Sequence, residues 1–158
     1  MEEASAQSLT AQCVHAPVDG TVMRLEDVPD PLFASGAMGD GLAIDPTSDI
    51  ICAPVTGVVI DAPSTRHSLL IRTDDGLEVL VHIGLDTIRM RGRAFTSSIA
   101  KYDKVTCGEE LVKVDWQAIT DDGHPTCVIV VLSNSDAFPD VKLTDAATVA
   151  VEDEIIRV

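Results

Sequence analysis

Aromatic side chains are scarce: Phe33, Phe95, Phe138, Tyr102 and Trp116 are all of them, 3% of 158 residues. So few rings cannot build the stacking platform on which single-stranded nucleic acid is bound, and the core must be aliphatic. Basic residues are also few. Eleven Lys and Arg stand against 26 Asp and Glu, a formal net charge of -15. That balance repels phosphate backbones and anionic lipid surfaces, which excludes nucleic acid as a partner, and it speeds encounter with basic proteins. The same charge would also serve only to keep a domain soluble. The four cysteines, Cys13, Cys52, Cys107 and Cys127, form no CxxC pair and no spacing that reads as a zinc site, so reduced and mostly buried thiols are expected. Long apolar runs are missing: Cys127 to Leu132 is among the longest and is far too short to span a bilayer. Residues Met1 to Ser8 have neither the basic nor the apolar region of a secretory signal. The cytoplasm is the expected compartment.

What is present is rich in β-forming residues. A hydrophobic content of 46% with 23% charged residues suits a globular chain, and the length suits one domain. Residues 1–12 are polar and expected to be loose, leaving 13–158 as that domain. Ala16-Pro-Val-Asp-Gly-Thr-Val22 and Ala53-Pro-Val-Thr-Gly-Val-Val59 share the pattern A-P-V-x-G-x-V, the mark of a duplicated motif. In each copy Pro is placed to open an extended strand, and Gly permits a bulge or a close crossing by another strand.

Leu69 to Thr73 and Leu77 to Val81 flank Asp74-Asp75-Gly76 and predict a hairpin. Further strands are expected at Val58 to Asp61, Glu110 to Val114, Cys127 to Leu132, Ala147 to Val151 and Glu154 to Val158. Helical spacing is confined to Phe95 to Tyr102 and Asp115 to Asp121. Many short strands with little helix indicate an all-β antiparallel sandwich or barrel.

Of four histidines, two have informative surroundings. His82 follows Val79-Leu-Val81 and precedes Ile83-Gly84, so it ends a strand that a sheet should hold rigidly. If the Gly84 carbonyl accepted a hydrogen bond from one ring nitrogen, the tautomer would be fixed and the other nitrogen left nucleophilic. His67 lies across the hairpin, close to cross-strand register with His82. Paired imidazoles on an aliphatic sheet suit phosphoryl acceptance or metal binding, and buried histidines satisfied within a core give the same spacing. His15 and His124 lie in polar, Pro-adjacent stretches and are expected to be loop residues. Glu26-Asp-Val-Pro-Asp-Pro-Leu-Phe33 suggests a loop offering one aromatic among carboxylates for docking, unless Phe33 is tucked inward. Gly36, Gly39 and Gly41 are not placed between a strand and a long helix, so they make no phosphate-cradling loop.

In order along the chain, Ala16-Pro-Val-Asp-Gly20, Glu26 to Ala34, Met38-Gly-Asp-Gly-Leu-Ala-Ile-Asp-Pro46 and Ala53-Pro-Val-Thr-Gly57 form a recognisable series. It continues through Val81-His-Ile-Gly-Leu-Asp-Thr87, Val105-Thr-Cys-Gly-Glu-Glu-Leu111 and Val131-Leu-Ser-Asn134. Over residues 14–158 the chain resembles the glucose-type enzyme IIA components of the bacterial phosphoenolpyruvate-dependent sugar phosphotransferase system. The resemblance implies an antiparallel β-sandwich of the duplicated hybrid type with two histidines in a shallow apolar depression. It implies that His82 takes a phosphoryl group on Nε2, that His67 positions it, and that the Thr65 hydroxyl lies within hydrogen-bond reach of the pair. It further implies partner contacts at Asp30, Asp86, Phe33, Leu80 and Ile83. The implied donor is a histidine phosphocarrier protein, and the implied acceptor is a cysteine on the IIB domain of a sugar permease. The expected carrier is a monomer, touches the membrane only through that permease, and requires no cofactor or metal. Met1 and a closing C-terminal strand suit a free-standing chain, and a terminal domain of a fused permease would carry the same motifs.

Three departures stand out. Arg66 precedes His67 where a small polar residue is commoner; Pro63 and Leu80 stand where relatives often carry aromatics; and Ala94 replaces a glycine in Gly92-Arg-Ala-Phe95. Rival readings are a zinc peptidase or amidase on a similar fold, a biotinyl or lipoyl carrier, and a non-catalytic regulatory module. Gly84 breaks the H-x-H of the first, and no lysine-bearing tip between the A-P-V repeats serves the second.

Overall fold

A computed structural model describes residues 12–158, so the loose segment expected at 1–12 lies outside the described residues except for Gln12. In chain order the first strands are β1 (Cys13–His15), β2 (Gly20–Arg24), β3 (Asp40–Pro46), β4 (Ile50–Cys52), β5 (Gly57–Asp61), β6 (Ser68–Arg72) and β7 (Glu78–Ile83). They are followed by β8 (Phe95–Thr96), β9 (Lys104–Val105), β10 (Glu110–Val114), β11 (Val128–Leu132), β12 (Lys142–Leu143), β13 (Thr148–Val149) and β14 (Glu154–Arg157). Two short helices, α1 (Pro31–Ala34) and α2 (Trp116–Asp121), and three 3-10 turns complete the described elements. No helix among them is long and apolar enough to cross a membrane.

The strands form one antiparallel sheet in the order β13-β2-β3-β11-β7-β6-β5-β9 and two three-stranded sheets, β1-β14-β12 and β4-β10-β8. Alternation along the large sheet explains the layering. Val79, Val81 and Ile83 of β7, and Val128, Val130 and Leu132 of β11, point to one face, where they meet Val14, Ile51, Leu111, Val112, Ile155 and Ile156 from the small sheets. This is the inner layer of a sandwich. The opposite face carries a second, smaller apolar cluster of Val28, Phe33, Ala43, Leu85, Cys127, Ile129 and Val131.

The sequence repeat is a structural duplication. His15 N–H donates to the Pro54 carbonyl (2.9 Å) and Cys52 N–H donates to the Pro17 carbonyl (2.7 Å), so the two A-P-V segments clasp each other reciprocally. The prolines sit in bends, and each strand opens at the glycine instead. A Cβ at Gly20 or at Gly57 would collide with the carbonyl of Asp45 or Arg72 on the neighbouring strand, which is the close crossing expected of these glycines. A second matched pair was not foreseen. Val105 to Leu111 and Val149 to Ile155 form equivalent turns, with Glu109 accepting from Thr106 N–H and Asp153 from Ala150 N–H. Gly108 (φ 88°) and Glu152 (φ 78°) share the left-handed position.

Several expectations are corrected. Phe95 to Tyr102 is not helical: β8 gives way to a loop in which the Ser97 hydroxyl takes Ile99 N–H and Asp103 takes Ala100 N–H, side-chain bonds that compete with a helix. His15 lies in β1, not in a loop. The glycine-rich stretch leads into β3, where Gly39 and Gly41 let the chain lie against the β11 backbone. Ala94 has no positive φ, so the turn tolerates it; the left-handed residues there are Arg91 and Gly92.

Candidate active site

β7 is an interior strand, hydrogen-bonded to β6 on one side and β11 on the other, so the residues near its end are held on both flanks. His82 pairs with Ser68 and Ile129, and it lies on the outer face with Leu80, whose cross-strand partner is Val131. His67 immediately precedes β6, and its carbonyl accepts Ile83 N–H (2.8 Å). The two imidazole centroids are 5.2 Å apart with their planes at 78°. Phe33 closes the other side of His82, 5.0 Å between centroids.

The hydrogen bonds fix which nitrogen is available. His82 Nδ1 lies 2.7 Å from the Gly84 carbonyl oxygen. A carbonyl only accepts, so Nδ1 carries the proton and Nε2 keeps its lone pair. His67 Nδ1 is 2.6 Å from the Thr65 hydroxyl, as expected of Thr65. Both rings resist protonation. Burial pushes His67 down to about 4, with neighbouring His82 adding to the effect and Asp61 opposing it. His82 is also lowered by burial, against the Gly84 carbonyl and the charges of Asp30 and Asp86. At neutral pH the pair is therefore two neutral imidazoles.

The sequence-derived rim is only partly retained. Asp30 caps α1 by accepting Leu32 N–H (2.9 Å) and Asp86 is exposed in a left-handed conformation (φ 58°), each close enough to act on His82. Leu80 is half-buried beside the second cluster. Phe33, at 5% exposure, is tucked inward as a wall of the site and offers a partner little surface. Ile83, at 0% exposure, belongs to the inner core, because adjacent residues of a strand face opposite ways; it is not a docking residue. Two exposed apolar side chains were missed, Leu32 (61%) and Ile88 (55%), each two residues beyond a rim aspartate. Their signal in the sequence was an apolar residue within a polar loop. Arg66 adopts φ 58°, is exposed, and makes no ion pair among the described residues. His124 Nε2 lies 2.8 Å from an Asp122 carboxylate oxygen. No group of three His, Cys, Asp or Glu side chains among the described residues is arranged to hold a metal ion.

Comparison with known proteins supplies a family. Residues 12–138 match the model of the phosphoenolpyruvate-dependent sugar phosphotransferase system, EIIA 1. The chain is 43% identical to the PTS system glucose-specific EIICBA component of Streptococcus pneumoniae over 145 residues, covering 92% of this chain but only 20% of that longer protein. It is 42% identical over 131 residues to the PTS system glucose-specific EIIA component of Halalkalibacterium halodurans, covering 83% of this chain and 76% of the relative. Among solved structures, the glucose permease IIA of Mycoplasma capricolum superposes with a TM-score of 0.88 at 32% identity, covering 92% of this chain and 94% of the other. Motif order, sandwich and histidine pair thus agree with one assignment, and the chain belongs to the EIIA family of the sugar phosphotransferase system.

Proposed function

We propose that this EIIA protein carries a phosphoryl group on His82 Nε2, receiving it from a histidine phosphocarrier protein and passing it to a cysteine of the IIB domain of a sugar permease, on the cytoplasmic side of the membrane. The observation that carries this reading is the Gly84 carbonyl on His82 Nδ1, which leaves Nε2 as an unprotonated nucleophile on a rigid strand. In the first transfer the Nε2 lone pair attacks phosphorus, the donor's N–P bond breaks, and its electron pair returns to the donor imidazole. In the second, the IIB thiolate attacks, the Nε2–P bond breaks, and the pair returns to Nε2. His67, whose Nδ1 meets the Thr65 hydroxyl, presents its other nitrogen as an N–H donor to a phosphoryl oxygen. Phe33 and the outer apolar cluster keep water from the labile N–P bond. Asp30 and Asp86, with Leu32, Leu80 and Ile88, form a docking rim for a basic, partly apolar partner. The carrier works as a monomer and needs no metal.

The test is intact mass after incubation with phosphoenolpyruvate, enzyme I and the histidine phosphocarrier. Wild type is expected to gain one acid-labile phosphate, His82→Ala none, and His67→Ala to gain it still but pass it on poorly. A wild type that gains nothing from competent donors, or a His82→Ala protein that loads normally, overturns the reading.

A further inference from the structure

The turn that ends β7 holds two consecutive peptide groups at both of their ends. In the Ile83–Gly84 peptide, Gly84 N–H donates to the Cys127 carbonyl (2.8 Å) and the Ile83 carbonyl accepts the Thr87 hydroxyl (2.6 Å). In the next peptide, Leu85 N–H donates to the Pro125 carbonyl (3.3 Å) and the Gly84 carbonyl accepts from His82 Nδ1 (2.7 Å). Apart from His82 itself, Thr87 is the single side chain in this set. It is also a polar residue with 0% exposure. Its methyl group closes the turn from a second direction, because a Cβ on Gly84 (φ 72°) would lie 2.6 Å from Thr87 Cγ2. Between the two, Asp86 is held at φ 58°, in the left-handed region that a residue other than glycine enters at some cost.

We propose that Thr87 is a positioning residue for His82: its hydroxyl on the Ile83 carbonyl and its methyl against Gly84 set the plane of the Gly84 carbonyl, which keeps the proton on Nδ1 and leaves Nε2 free. The proposal rests on the reading of His82 as phosphoryl acceptor. Without the hydroxyl, the Ile83 carbonyl is buried with no partner, the turn rotates to find one, and the Gly84 carbonyl moves with it. The imidazole then divides between tautomers, and a ring protonated on Nε2 has no lone pair there to attack phosphorus.

Nitrogen-15 NMR of the full chain, labelled at histidine, reads the tautomer directly and does not depend on phosphorylation. Wild type is expected to show Nδ1 protonated and Nε2 bare. Thr87→Val, nearly isosteric, is expected to shift part of the His82 population to the other tautomer and to slow phosphoryl uptake roughly tenfold. Thr87→Ser, which keeps the hydroxyl and loses only the methyl, is expected to recover most of both. Thr87→Ala gives the same readout should the valine variant not fold. Ile156→Val, in the inner core, is expected to lower Tm while leaving tautomer and uptake alone, which separates positioning from stability. A Thr87→Val protein with wild-type His82 shifts and only a lower Tm overturns the proposal. If wild type takes up no phosphate at all, the carrier reading fails, and the tautomer comparison still decides the role of Thr87.

Discussion

The two faces of β7 are one residue apart in sequence and opposite in physical character. Val79, Val81 and Ile83 point into a large aliphatic core, each 0–1% exposed. Leu80 and His82, on the other face, are half-buried beneath a cluster closed by Phe33. The inner face holds the strand in place, and the outer face uses that rigidity to fix an imidazole. Partial burial is what the outer face contributes chemically: it removes enough water to keep both rings neutral and leaves His82 within reach of a partner.

Substitution on the two faces should separate these roles most widely. Ile83→Ala removes a fully buried side chain from the inner core and is expected to cost about 2–5 kcal/mol by urea unfolding. Leu80→Ala is expected to cost about 1 kcal/mol or less and to slow partner encounter instead. Equal costs for the two would erase the distinction.

A pH titration sharpens it next. His67 is held at about 4 in the fold against an ordinary 6.5, so between those values the unfolded chain binds a proton that the native chain refuses. Stability must therefore fall as pH drops from 6.5 towards 4. At pH 4.5 the His67 contribution is a loss on the order of 2–3 kcal/mol relative to pH 7, and His67→Gln should be less acid-sensitive by that amount. Parallel stability-pH curves for the two proteins would place the acid sensitivity elsewhere.

The smallest effect lies at the rim. Asp30→Asn and Asp86→Asn keep side-chain shape, and asparagine at 30 still caps α1. Together they should slow phosphoryl transfer from a basic donor several-fold at low salt, with the difference shrinking as salt rises, and lower the His82 pKa further. A rate independent of both charge and salt would mean that docking is carried by the apolar residues.

The outer face was also the harder one to read. The hairpin around Asp74-Asp75-Gly76 and the strand at Glu110–Val114 were legible because turn residues and β-branched runs mark their ends, and the role of Gly84 followed from one local rule. The family motif located His67, Thr65 and His82, which spacing alone left undecided between phosphate, metal and core. Ile83 was misread despite the period of two that places it opposite His82. Phe33 was ambiguous because no local pattern states which way a loop side chain turns. The second copy of the Val105 to Leu111 turn stayed hidden because Glu152 occupies the position where Gly108 advertises a left-handed residue. The helix expected at 95–102 failed because bonds from Ser97 and Asp103 outcompete an intrinsically weak local preference.

The pairing of β1 with β14 has a consequence for attachment. Val158 N–H donates to the Gln12 carbonyl (3.0 Å), and both strands lie in the layer that packs on the inner face of the large sheet, across it from His82. Additional polypeptide joined after Val158 starts from that layer, on the side of the large sheet opposite His82. A tether there raises the local concentration of the carrier around whatever it is joined to, by an amount set by linker length, without demanding a new contact. The same fold can thus serve as a diffusing shuttle or as one arm of a larger chain, with only the distance of travel changed.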